Sequence, residues 1–136
     1  MKRIIQLCCL VLIVLLSSCA TKQVSLDKTV WFNASPSENN GQKGSVVTSL
    51  YFVSPGQVDI YTYVMVDTTI IVKPFLYGKG KYITEPYEKV NKINVQVNSI
   101  DNKNLSFNGY YDNETLFLVE DSICKSYIKL SDVKLP

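Results

Sequence analysis

From Lys92 to Ser99 the chain alternates without a break: Ile93, Val95 and Val97 against Lys92, Asn94, Gln96 and Asn98. A strand sends successive side chains to opposite faces, so this stretch buries one face and wets the other only as β structure. The same chemistry recurs from Thr29 onward, in runs of roughly five to ten residues rich in Val, Ile, Tyr, Phe and Thr, set apart by turn residues. No long window has helical periodicity, no internal repeat is visible, and Ala is almost absent after Ala20.

The runs fall in order along the sequence. Val30 to Ala34 carries Trp31, the only tryptophan, and the polar stretch Ser35 to Gly44 reads as a loop. Ser45 to Val53 is a strand that turns back at Ser54-Pro55-Gly56, with Pro then Gly suited to the central positions of a type II turn. Val58 to Val66 places Val58, Ile60, Val64 and Val66 on one face and Asp59, Tyr61, Tyr63 and Met65 on the other. Pro74 interrupts Thr69 to Tyr77, which predicts an edge or a bulge there. Gly78-Lys79-Gly80 reads as a turn into a short strand that Glu85-Pro86 ends. After the alternating stretch, Asp101 to Asn104 turns the chain into Leu105 to Tyr111, and Asp112-Asn113 signals a hairpin into Thr115 to Glu120. Cys124 to Leu130 is last. The fold class is therefore all-β: an antiparallel meander of about eight strands that closes into a barrel, with a β-sandwich as the alternative. Closure removes the exposed edges that would invite aggregation.

The first residues predict an address. Lys2 and Arg3 precede an apolar stretch from Ile4 to Leu16, too short to cross a hydrocarbon core that needs about 20 residues. Basic start, short apolar stretch and small residues form the pattern of an export signal. Leu16-Ser17-Ser18-Cys19 resembles a bacterial lipobox. The resemblance implies a signal peptide over residues 1–18, acyl chains (palmitate among them) on Cys19, and a lipidated polar tether over 19–28. A barrel domain over 29–136 would follow. A lipidated N-terminus is anchored to a membrane rather than spanning it. The residue after the cysteine is Ala20, not Asp, which by the same resemblance points to the outer membrane of the cell envelope without fixing the leaflet.

Processing also changes the balance of charge and thiols. Loss of Lys2 and Arg3 removes the net charge of +2 and leaves 12 basic against 12 acidic residues. With no basic cluster, no nucleic-acid partner is expected. Cys8 and Cys9 leave with the signal, Cys19 is lipidated, and Cys124 has no partner for a disulfide. Cys124 reads as a small buried hydrophobe.

From Trp31 to Leu130 the chain resembles the small lipocalin-like (calycin-type) β-barrel lipoproteins of Gram-negative bacteria. The resemblance rests on the Trp-bearing first strand and on Ser49-Leu50-Tyr51-Phe52 turning back through Pro-Gly. The link Tyr77-Gly78-Lys79-Gly80-Lys81-Tyr82 and the closing hairpins add to it. The family's first strand usually carries Gly-x-Trp, where this chain has Thr29-Val30-Trp31, and its late-strand Arg has no counterpart after Arg3.

The chain contains no histidine, the usual base near neutrality. Glu85 with Glu88, and Glu120 with Asp121, read as solvated turn residues rather than a catalytic pair. The carboxylates at Asp101 and Asp112 lack the ligand density of a calcium loop. No phosphate loop, metal set or nucleophile elbow appears. No enzyme activity, metal or cofactor is expected. Tyrosines remain as material for recognition: Tyr61 and Tyr63 on one strand face, and Tyr110, which opposes Leu105 and Phe107. Asp67-Thr68-Thr69 and Asp121-Ser122-Ile123 resemble the Asp-Ser/Thr-apolar sites that carry O-linked sugars in some exported Gram-negative proteins, which makes Thr68 and Ser122 candidate modification sites. The expected function is a membrane-anchored binding or accessory module for a small apolar ligand, a glycan or an envelope protein. A structural part in an envelope complex is the alternative.

Overall fold

A computed structural model describes residues 23–130; the expected signal, Cys19 and the first part of the tether lie outside the described residues. Eight antiparallel strands follow one another around a closed barrel: β1 (Thr29–Asn39), β2 (Gln42–Ser54), β3 (Gln57–Val66), β4 (Thr69–Tyr87), β5 (Val90–Ser99), β6 (Asn104–Tyr111), β7 (Thr115–Glu120) and β8 (Ile123–Leu130). Every strand pairs with its sequence neighbour, and β8 closes on β1 through Val30–Leu130, Trp31–Lys129 and Phe32–Ile128. The sandwich alternative is excluded.

The alternating pattern of β5 persists in three dimensions: Ile93, Val95 and Val97 are buried, while Gln96 and Asn98 are exposed. Trp31, Leu50, Phe52, Val58, Leu116 and Tyr127 join them from other strands in one apolar cluster. The Phe52 ring meets the Tyr82 ring edge-on at 4.9 Å and 87°. Each such side chain contributes about 1.5–3 kcal/mol when fully buried. The buried members of the cluster retain at most 4% of their exposure. A void that admitted water would leave its lining accessible, so this part of the barrel is a packed core and not a pocket. Eight strands enclose just enough space for side chains to fill.

Several local expectations are corrected. Ser35 to Gly44 is no loop: β1 and β2 pair as far as Asn39–Gln42, and Asn40-Gly41 is a two-residue hairpin turn. Asn40 and Gly41 have φ of 51° and 79°, the left-handed conformation that Asn-Gly supplies in such hairpins. Gly78-Lys79-Gly80 is not a turn but the middle of a 19-residue strand, which runs through Pro86 to Tyr87. Gly80 is required there because a Cβ would lie 2.0 Å from the Gln96 carbonyl oxygen. Glycine at that point lets β4 and β5 fold sharply against each other at a barrel corner.

Cys124 is exposed, not buried. The parity of β8 explains it: Tyr127 takes the interior, and Cys124, an odd number of positions away, faces out opposite Val119.

Residues 23–28, expected to be tether, pack onto one end of the barrel. Leu26 belongs to the core cluster, and the Tyr111 hydroxyl donates to the Val24 carbonyl at 2.8 Å. The Lys28 amide donates to the Phe52 carbonyl, and Gln23 Nε2 donates to Thr84 Oγ1. Two apolar residues in a polar stretch were enough to close that end.

The two ends differ. β5 pairs with β4 only from Gly78 onward, and β8 meets β1 only at Val30–Phe32. Beyond those levels β1–β4 continue as a four-stranded arm whose outer strands, Asn33–Asn39 and Thr69–Leu76, pair on one side only. Thr62 pairs with Phe75 and Val64 with Val72, so Lys73-Pro74 form the bulge anticipated at Pro74, on an edge.

Candidate functional site

The expected contact tyrosines do not form one site. Tyr61 and Tyr63 lie half-buried on the outer face of β3, paired with Ser49 and Val47 of β2. Val47 is buried although it lies outside the core cluster, so Tyr63 stands where it shields an outer-face apolar residue. Tyr110 lies three strands away on β6, exposed, with its ring 5.9 Å from that of Tyr87. Lys92 Nζ sits 4.1 Å over the Tyr87 ring and 3.7 Å from Glu85, a surface cluster of ordinary kind.

Thr68 and Ser122 both stand exposed beside hairpin turns, where Asp67, Asp121 and Ser122 have positive φ. A transferase acting on folded protein would reach either hydroxyl. Cys19, the expected point of lipid attachment, lies outside the described residues.

One broad concavity lies on the outside of the barrel. Where the sheet folds at Gly80, the outer face of β3–β6 forms a groove of about 780 Å³, within the range of about 300–1,000 Å³ usual for small-molecule sites. Its polar lining is ordered by strand register. Gln57, Lys81, Gln96 and Ser106 are successive cross-strand partners, as are Asp59, Lys79, Asn98 and Asn104. Two rows of four polar side chains therefore cross four strands, each row spanning about 14 Å at the usual inter-strand spacing. Val53, Gly80, Val97 and Leu105 complete the lining.

Charge in the groove is sparse. Lys79 Nζ lies 3.9 Å from the Asp59 carboxylate, a long and solvent-screened pair, and Lys81 has no ion-pair partner among the described residues. The Gln96, Asn98 and Asn104 amides hydrogen-bond to no described side chain or backbone group. By contrast, neighbouring Asn94 donates to Asn108 at 2.7 Å. The alternation of β5 already placed Gln96 and Asn98 outward, but nothing in the sequence showed that Gly80 would make that outside concave.

The shifted ionisations lie elsewhere. Burial pushes the Tyr127 hydroxyl up to about 12, with Glu120 adding to the effect, and burial also raises Tyr82 and Tyr111. Hydrogen bonds from Lys103 and Ser99 hold the Asp101 carboxyl below its ordinary value, at the turn between β5 and β6. All four groups stabilise turns or core and none lines the groove.

A second hollow, of about 340 Å³, lies where Gln23–Asp27 meets Pro55, Tyr82 and Tyr111 at the closed end. A third, of about 330 Å³, lies between the hairpin tips of the arm. Comparison of the chain with protein-family models, with curated proteins and with solved structures finds no match.

Proposed function

We propose that the chain is a lipocalin-like lipoprotein, anchored to the outer membrane through Cys19, that works as a binding or accessory module by its outer surface. The packed core carries this reading: a barrel whose interior side chains fill it has no room for an apolar ligand where lipid carriers hold theirs. Recognition then falls to the outside, where the groove beside Gly80 offers a polar-lined hollow of about 780 Å³.

The anchor and the fold are compatible in space. Cys19 precedes Gln23 by four residues, at most about 14 Å of extended chain. Gln23 packs at the closed end, whereas β1 carries the chain eleven residues toward the arm, about 36 Å at strand rise. On this reading the closed end faces the membrane and the arm points away from it.

A structural role in an envelope complex is the second reading, favoured by a different surface. Tyr110, Phe117, Val119, Cys124 and Ile128 are exposed together across the outside of β6–β8. Contiguous exposed apolar groups often mark protein interfaces.

Labelling with an alkyne fatty acid tests the anchor: the intact chain is expected to carry the label and partition with membranes, and Cys19→Ala to lose both. Equal labelling of the variant contradicts it. Native mass spectrometry of the chain from its own host separates the two functional readings, because a stoichiometric protein partner supports the structural role. A fatty acid held in the domain contradicts recognition by the outer surface. The same spectrum reads modification at Thr68 and Ser122 as added hexose masses, and a bare lipoprotein mass removes that assignment.

A further inference from the structure

We infer that the outer groove of β3–β6 holds an extended glycan chain that carries carboxylate-bearing sugars, an inference that rests on the reading of the chain as an envelope binding module. The lining selects the ligand. Side-chain amides donate and accept at once, as sugar hydroxyls do, and the amides of Gln96, Asn98 and Asn104 are uncommitted among the described residues. They stand in two rows about 14 Å long, which suits a chain laid across the strands better than a compact molecule. Tyr61 follows Asp59 by two residues on the same outer face, in place to stack on a sugar ring that overhangs the Asp59 row at β3.

Charge narrows the class. Asp59 offsets Lys79 at 3.9 Å, so Lys81 leaves the groove with one uncompensated positive charge. That favours an acidic sugar and is too little for nucleic acid, which needs several cations along its phosphates. A peptide fits poorly. β3 to β5 are paired on both sides at this level, and the one-sided edge, Asn104–Phe107 of β6, runs along the strand and so across the direction of the polar rows, where a main-chain partner would not follow them.

The test uses the full chain in detergent, labelled with nitrogen-15 and titrated with hexagalacturonate, maltohexaose and hexaglutamate. Hexagalacturonate is expected to shift the side-chain amide signals of Gln96, Asn98 and Asn104, and to bind more tightly than maltohexaose. Lys81→Gln is expected to weaken it about two- to fivefold, the upper part of the range for one exposed charged contact. Gln96→Ala with Asn98→Ala should abolish the shifts at Asn104. Lys81, Gln96 and Asn98 are exposed, so all variants should melt with wild type, and melting curves confirm that a loss is local. Silence of the three amides with both glycans overturns the inference. So does equal affinity of Lys81→Gln, or hexaglutamate binding as well as hexagalacturonate. If the groove stays silent while the chain from its host still co-purifies with another small molecule that is not a fatty acid, the glycan site falls and the binding-module reading stands.

Discussion

Trp31 shows how much one side chain fixes. Its ring is fully buried, its indole N–H donates to Thr29 Oγ1 at 2.9 Å, and Lys129 Nζ lies 6.0 Å from its ring centroid. The late-strand Arg usual in the lipocalin-like chains that the sequence resembles has no counterpart here, and the cation beside the ring is a lysine from β8. Tyr127 couples the fold to pH. Folded, it keeps its proton up to about pH 12, against 10.0 for an unburied tyrosine. Between those values the unfolded chain binds fewer protons. Stability is therefore complete below about pH 10 and falls as pH rises toward 12, by up to about 1.4 kcal/mol per unit. Tyr127→Phe is expected to flatten that fall in urea unfolding between about pH 9 and 11, leaving a smaller slope from Tyr82 and Tyr111, which shift the same way. Equal slopes in variant and wild type contradict the assignment.

Among the elements, legibility follows how local the cause is. The period-two pattern of β5, the Pro55-Gly56 turn and the Asp112 hairpin are written in adjacent residues, and each was readable. Asp112 Oδ1 accepts from the amides of both Glu114 and Thr115, a local bond that makes the turn. Asn40-Gly41 was equally local, yet it was hidden because polar residues surround it and an arm buries little. The continuity of β4 was not readable, since glycines mark a turn or a corner and only the position of β5 decides which. The groove depends on the same corner and shared its fate.

Thr69–Leu76 carries Ile70, Ile71, Val72 and Phe75 exposed on a strand paired on one side, the kind of edge that recruits another chain. Two register shifts against β3 fall within it, and Pro74 offers no N–H. Pro74→Ile restores a donor and is expected to raise concentration-dependent association in sedimentation velocity. An unchanged monomer over the same range contradicts this role for Pro74.

For the molecule as a whole, the barrel is a solid body sealed at one end by residues that composition assigns to a tether. Leu26 is 2% exposed, and its removal leaves a cavity under the closed end. Leu26→Ala is expected to cost about 2–5 kcal/mol of unfolding free energy, read by urea titration; a loss below about 0.5 kcal/mol, the usual scale of surface changes, would show the segment to be loosely attached. The solidity of the barrel decides between a carrier of apolar molecules and a surface that recognises from outside. Trp31, the only tryptophan, reports on it directly from inside the core. Titration of the chain with a brominated fatty acid, a contact quencher of indole emission, is predicted to leave Trp31 fluorescence without saturable quenching. Saturable quenching at micromolar ligand would place an apolar molecule inside the barrel and contradict the account.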